Sequence, residues 1–418
     1  MITLAVIDSR PPQTIERPKR MEKYSALKSA PVQLAMRASS DIEALDPAKC
    51  HALISCSKSK SGHRDLARNM YVSPLYRKSV MVAESWGVSF SILSAKYGLL
   101  DPEETIEPYD LTLKGASRQF KSDWAYKVDE QIRKSINRKK RLIMLAGDDY
   151  YAPLTEVVTS DPLIYLAPMQ GLSLGNRLVF LNQCIRIQKR RTAISRSYAM
   201  FDQLAKGMGL YPLRDLLSKE LPKQGVYFFF DDAESTKFST LVPRLVRVGT
   251  HGVSAGSVAT LRNRLRTHLG TRAGGGNHRA SVFRLHVGRA IIQRDGLQER
   301  YPNWGHGQSA PKQVTELEAP LEAKVSEYIG NLRVLFIAVL DTAGTGSMRA
   351  TIERQFIAMF TENICAIEES SPNWLGHSSD KSSIRDSGLW NVRDVGSAYD
   401  LKFIPLLDSL TRRNFFRK

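Results

Sequence analysis

Short apolar runs alternate with amphipathic stretches through the first half of the chain. The runs at 51–56 (HALISC), 89–95 (SFSILSA) and 141–147 (RLIMLAG) are short and largely apolar, and read as buried strands. Between them, 73–87 and 122–140 carry helical periodicity. Strand alternating with helix predicts a mostly parallel sheet inside an αβα three-layer domain. The polar loops SCSKSKSG, SAKYGLLDP and AGDDYY each follow one of these strands. Carboxyl ends of parallel strands are where such sheets bind ligands, so a pocket is expected there.

The second half reads differently. GVYFFFD (225–231) and RLVRVGT (244–250) are two strands joined by a polar loop. Val258, Leu261, Leu265 and Leu269 then recur at spacings of three and four, which predicts a helix across 257–269. On it Arg264 and His268 share one face, and Arg262 and Arg266 share another. Ahead of both regions, residues 1–46 are polar, rich in Pro and Ser and weakly periodic, and predict a loosely attached arm. The expected division is 1–46 extension, 47–182 first domain, 183–222 basic helical connector and 223–418 small α+β domain.

Composition narrows the partner. The 418 residues suit two or three domains. Sixty Lys and Arg against 42 Asp and Glu leave a formal charge of +18, which favours a polyanion such as DNA. The four cysteines are scattered with no CxxC pair, so neither structural zinc nor a disulfide framework is expected, in keeping with a reducing cytoplasm. No basic leader precedes the apolar start, and no run of about 18 apolar residues exists, so no membrane span is expected.

A tyrosine, an arginine and a histidine near a strand pair suit phosphodiester hydrolysis. Water must be aimed and deprotonated, and charge on the phosphate neutralised. A divalent cation, Mg²⁺ or Mn²⁺, would need an oxygen ligand, and Glu353 at the start of an apolar helix offers one. Taken singly, each of these residues is as readily a core tyrosine, a solvated arginine, a surface histidine or an ion-paired glutamate. In the first domain, Ser55, Ser57, Lys58 and Lys60 follow one strand, and Ser94, Lys96, Tyr97 and Asp101 another. Tyr109 and Asp110 come next, then Gly147, Asp148, Tyr150 and Tyr151 after the third strand. Lysines with hydroxyls suit a phosphate, and tyrosines with an aspartate suit a flipped base. Helix caps and loop closures use the same residue types.

The ordered set Gly225-Val226-Tyr227, Val248-Gly249, Arg264-xxx-His268 and Glu353 resembles the GIY-YIG nuclease superfamily over about 222–400, nearest its restriction-enzyme-like branch. GGGNHRASVFRLHVG and SGLWN add to that likeness. The resemblance implies that Tyr227 positions or deprotonates the nucleophile, Arg264 faces the scissile phosphate, His268 assists proton transfer and Glu353 binds the metal. It also implies a downstream asparagine, for which Asn363 and Asn391 compete. This chain departs from the pattern at Arg247-Val248-Gly249, where the second-motif tyrosine is missing; His251 or Arg247 could stand in. Arg247, Arg262, Arg266, Asn277, His278, Arg279 and the RIQKRR connector are candidate DNA contacts. Over about 50–182, the motifs LISCSKSK, LSAKYGLLDPEETIEPYD, LAGDDYY and APMQGLSLGNRLVFL resemble a family of uncharacterised domains distantly similar to the uracil-DNA glycosylase-like fold. The likenesses together imply a metal-dependent DNA endonuclease whose first domain either reads a base, modified ones included, or excises it; a catalytically dead DNA-binding protein is the remaining alternative. Restriction of foreign DNA rests on the nuclease branch alone; one catalytic set per chain means that a double-strand break would need a homodimer or two visits.

Overall fold

The computed structural model describes residues 19–136, 141–157, 164–271, 274–362, 367–403, 405–406 and 409. The chain divides into two compact units, Met1–Gln188 and Lys189–Lys418. Among the described residues no helix is long and apolar enough to cross a membrane.

The first unit comprises α1 (Lys19–Ala44), β1 (Cys50–Ser55), β2 (Asp65–Leu66), α2 (Ala67–Met70), α3 (Pro74–Ser85), β3 (Ser89–Ser94), β4 (Gly98–Leu100), β5 (Thr105–Ile106), α4 (Arg118–Ser135), β6 (Arg141–Leu145), α5 (Asp148–Val157), β7 (Ile164–Leu166) and the first turns of α6 (Leu174–Met208). Its main sheet runs β4-β3-β1-β6-β7, parallel except for β4. Ala52, Leu53 and Ile54 of β1 are all fully buried, so this central strand is covered on both faces. Leu53, Leu93, Leu142 and Met144 pack against Trp124, Val128 and Ile132 of α4. One expectation changes: residues 30–44 are no loose arm. They form the second half of α1, and its Ala35, Ala38 and Ile42 are buried, because these small and apolar positions recur at helical spacing among the polar ones.

The second unit contains the rest of α6, then β8 (Tyr211–Pro212), α7 (Leu213–Leu216), β9 (Gly225–Asp231), β10 (Arg244–Gly249), α8 (Leu261–Leu269), α9 (Val282–Asp295), α10 (Lys312–Asn331), β11 (Arg333–Ala338), α11 (Met348–Thr361) and α12 (Ser382–Ser387). Its antiparallel sheet has the order β10-β9-β11-β8. The aromatic run on β9 sorts by strand alternation. Val226, Phe228 and Phe230 enter one core with Tyr198 and Phe201 of α6 and Ile352 and Phe356 of α11. Tyr227 and Phe229 enter the other, with Leu261 and Leu265 of α8 and Phe283 of α9. A strand buried on both faces explains why GVYFFFD is apolar without alternation.

The basic segment expected to connect two domains is part of this core. The Arg190 guanidinium is buried and donates to the carbonyls of Met359 (2.5 Å), Phe360 (2.9 Å) and Glu362 (2.9 Å). Those carbonyls lie at the C-terminal end of α11, where a helix leaves its last acceptors unsatisfied. Ala193, Ile194 and Tyr198 follow on the same helix into the apolar core.

Candidate functional site

Two glycines bring β9 into its place. Gly225 passes so near β11 that a Cβ there would lie 2.5 Å from the Ile337 carbonyl oxygen. Gly249 sits directly opposite Tyr227 in the β9–β10 register, and a Cβ there would overlap the Tyr227 ring. The glycine ending the second strand is therefore the space into which the tyrosine of the first is laid. Neither position depends on a left-handed backbone; both are close approaches.

Around Tyr227 four more side chains converge. Tyr227 Oη and His268 Nε2 are hydrogen-bonded at 2.8 Å, and His268 Nδ1 is bonded to Ser281 Oγ, also at 2.8 Å. His268 is fully buried. Burial, then the positive charges of Arg247, Arg264 and Arg284, hold its pKa well below the ordinary imidazole value. The ring is therefore neutral near pH 7. Arg264, one turn before it on α8, is half-buried and its Nε has no hydrogen-bond partner. Glu353 stands on α11, its carboxylate within electrostatic reach of Arg247, Arg264 and the Thr250 backbone just past the end of β10. Burial raises the Glu353 pKa and Asp394 adds to that; Arg247, the Thr250 N–H and Arg264 oppose it. Asp394 has φ 61°, and among the described residues no other non-glycine residue has a positive φ.

Glu353 offers an oxygen donor of the kind that hard divalent cations take. Among the described residues no cluster of three or more His, Cys, Asp or Glu could enclose an ion. Zinc demands such a cluster, whereas Mg²⁺ and Mn²⁺ bind through one or two carboxylates with water and substrate phosphate completing the shell. Glu353, with Asp394 near enough to perturb it, meets the second requirement and not the first.

With that geometry in hand, comparison with known families is informative. A model described as GIY-YIG domain matches residues 188–415, more than half of the chain. The chain belongs to the GIY-YIG family. This is a family of nucleases, and DNA is the substrate that membership implies. Residues 52–183 match a family of unknown function (DUF6884). No curated protein and no solved structure matches the chain. The GIY-YIG match begins inside α6, in keeping with Arg190 and Tyr198 belonging to the nuclease core.

Several basic residues of the GIY-YIG unit are already committed to the fold, which corrects the sequence reading. Arg262 donates to the carbonyls of Leu217 and Lys219, both at 2.6 Å, and so staples α8 to the end of α7. Arg279 makes a two-pronged ion pair with Glu318 at 2.6 and 2.9 Å, both side chains buried. His278 is buried against Trp304; Gly305 N–H donates to its Nε2 (3.0 Å), and its Nδ1 donates to Glu322 (2.9 Å). Asn277 caps the following turn by accepting from Arg279 N–H at 2.9 Å. Arg266 alone of the Arg262, Arg266 and Arg279 set is exposed. The helix stripe also shortens: Val258 is 89% exposed, because Thr260 caps α8 and the helix begins at Leu261.

The stand-ins for the missing tyrosine separate as well. His251 accepts from Gly225 N–H (3.3 Å) and donates from Nδ1 to Ala259 O (3.2 Å), so both nitrogens lock the loop after β10. Asn391 donates to Val248 O (2.8 Å) and accepts from Val248 N–H (3.1 Å), covering the open edge of β10 as an added strand would. Its amide is spent there. Asn363 lies outside the described residues. Arg247 donates to the Trp390 carbonyl (2.6 Å) and lies within electrostatic reach of Tyr227. Ser281 was not singled out in the sequence; as the cap of α9 it carried no signal beyond a serine before a helix.

In the DUF6884 unit the strand-end loops do gather. Tyr109 Oη bonds to Ser94 Oγ (2.7 Å) and Tyr71 Oη (2.9 Å). Lys60 Nζ stands 4.1 Å from the Tyr109 ring centre, and Lys96 Nζ 4.9 Å from that of Tyr97. Cys56 Sγ meets Tyr150 Oη at 3.1 Å. Burial lowers the Lys60 pKa and raises those of Tyr71, Tyr109 and Tyr150. Cys56 and Tyr71 are members that the sequence reading missed. Tyr151 packs on the α4 core, and exposed Lys58 lends its carbonyl to Lys60. The acids behave as loop closers: Asp101 accepts from Glu103 N–H (2.9 Å), and Asp148 holds Gly171 N–H and Arg177, each at 3.0 Å. Asp110 is exposed near Lys60, and Ser55 ends β1 half-buried.

Proposed function

We propose that this chain is a Mg²⁺- or Mn²⁺-dependent DNA endonuclease whose GIY-YIG unit cuts phosphodiester bonds and whose DUF6884 unit recognises a base. The observation that carries the reading is the Tyr227–His268 hydrogen bond beside Arg264 and Glu353. In the tautomer with His268 Nδ1–H donated to Ser281, Nε2 accepts the phenolic proton. Tyr227 passes its proton to Nε2 as it takes one from the attacking water. The water oxygen adds to phosphorus and the phosphodiester P–O bond breaks. Burial first, and then Arg247, Arg264 and Arg284, make His268 a poor base in the free protein. A bound phosphate opposes the arginine charges and so raises that basicity when substrate is in place. Arg264 supplies charge to the phosphate oxygens. Glu353 would hold the cation, which when bound stabilises the leaving oxygen. The reader role rests on Tyr97, Tyr109, Lys60 and Lys96, an aromatic and cationic set with no carboxylate that is not already closing a loop or exposed. Restriction of foreign DNA and pairing of two copies for a double-strand break belong to this proposal.

The test is conversion of supercoiled plasmid to nicked and linear forms by the full chain, with Mg²⁺ or with EDTA. Cleavage dependent on Mg²⁺ and abolished by Glu353→Ala is expected. Equal cleavage by Glu353→Ala would remove the assigned ligand, and no cleavage of any modified or unmodified DNA would remove the nuclease reading.

A further inference from the structure

Arg247 occupies the position where the family's second tyrosine is missing, and its surroundings are unusual for a buried charge. It is 8% exposed. Nη1 donates to the Trp390 carbonyl at 2.6 Å, and the guanidinium carbon stands 4.6 Å from the centre of the Phe283 ring. It also lies within electrostatic reach of Tyr227. Nε is buried with no partner. Buried charges are ordinarily matched by a contacting opposite charge. Three other buried arginines of this unit obey that rule: Arg244 has Glu234, Arg284 has Glu322 and Arg349 has Asp341, while Arg190 is met by three carbonyls at the end of α11. Among the described residues no ion pair engages Arg247 or Arg264. Burial lowers the Arg247 pKa, and Arg264 adds to that; Tyr227 and the Glu353 carboxylate oppose it.

We infer that Arg247 is a second phosphate-binding cation of the cleavage site, replacing the family's tyrosine by charge rather than by a hydroxyl. The inference rests on the proposed phosphodiester chemistry. Trp390 and Asn391, laid along the edge of β10, fix the strand and the guanidinium. The Nε atoms of Arg247 and Arg264, which have no hydrogen-bond partner, are available to an anion, and the electrostatic coupling of Arg247 to Tyr227 ties the same cation to the group that aims the water. The forked guanidinium suits this double duty and an ammonium serves it partly.

Three variants of the full chain decide the matter: Arg247→Gln, Arg247→Lys and Arg247→Tyr. Single-turnover cleavage should fall about 100-fold in Arg247→Gln, as for loss of one preorganised donor. Arg247→Lys should recover roughly tenfold of that. Arg247→Tyr, which restores the family's residue, should do no better than Gln. In metal-free buffer, the slope of log binding constant against log salt should fall by about one for Gln and Tyr and stay unchanged for Lys. If Arg247→Gln does not fold, the Lys and Tyr variants carry the comparison. Full activity in Arg247→Tyr, or Lys no better than Gln with an unchanged salt slope, would overturn the inference. Glu353→Gln, run beside them, separates the two failures: activity there removes the cleavage-site reading, whereas its loss leaves only the role of Arg247 in question.

Discussion

The two units place their chemistry at comparable points, the ends of β-strands, and use it differently. In the DUF6884 unit the hydroxyls of Ser94, Tyr71 and Tyr109 satisfy one another, and Asp101 and Asp148 close their own loops. In the GIY-YIG unit Tyr227, His268 and Glu353 converge on two arginines whose Nε atoms have no partner. What marks the second region is not the density of polar groups but two arginines, Arg247 and Arg264, that make no ion pair yet stand beside the Tyr227–His268 bond. The same contrast recurs within the GIY-YIG unit, where Arg262 and Arg279 are consumed and Arg264 is not.

The comparison can be broken most severely at Arg284. Its guanidinium is fully buried, bonded to Glu322, and it also donates to the carbonyls of His268 (3.0 Å) and Leu269 (2.9 Å). Arg284→Met should destabilise the fold by about 3–5 kcal/mol, since it strands a buried carboxylate. Arg264→Met should cost less than about 0.5 kcal/mol in the same urea titration. Similar losses would erase the distinction between used and unused arginines.

A pH titration comes next. Burial lowers the pKa of His268, His251 and His286, the last to about 4. A folded-state value below the unfolded one near 6.5 means the unfolded chain binds protons first as pH falls. Stability from these groups is complete above about pH 6.5 and is lost as pH drops toward the folded values. His286 alone should account for on the order of 1–2 kcal/mol at pH 5. His286→Leu should flatten the dependence of the urea midpoint between pH 7.5 and 5; an unchanged slope would remove the assignment.

The smallest effects belong to the DUF6884 unit. Lys60→Ala and Lys96→Ala should each weaken DNA binding about three- to tenfold, and should leave the cleavage rate on saturating DNA within twofold. A loss of rate without a loss of binding would make this unit a participant in chemistry rather than a reader.

The pairing of Tyr227 with His268 was more legible in the sequence than the commitments of the basic residues around it. Tyr227, Arg264, His268 and Glu353 stand in an ordered pattern because strand, helix and turn chemistry fix their spacing. The parallel sheet showed in its continuous apolar runs for the same reason. Arg262, Arg279 and His278 were misread because their partners, the Leu217 and Lys219 carbonyls, Glu318 and Glu322, lie 39 to 45 residues away along the chain. No local pattern reports whether a charge is already paired at that distance. The segment 30–44 was misread because small residues such as Ala35 and Ala38 bury a helix without a strong apolar stripe.

The most direct measurement pairs two arginines two positions apart on α8. Single-turnover cleavage and thermal unfolding are measured together for Arg264→Ala and Arg262→Ala in Mg²⁺. Arg264→Ala should lose about 10³-fold in rate with its melting temperature nearly unchanged. Arg262→Ala should melt several degrees lower and cut at nearly the full rate while folded. Cleavage by Arg264→Ala at the rate of the parent chain, or equal loss of rate in both variants, would contradict the account.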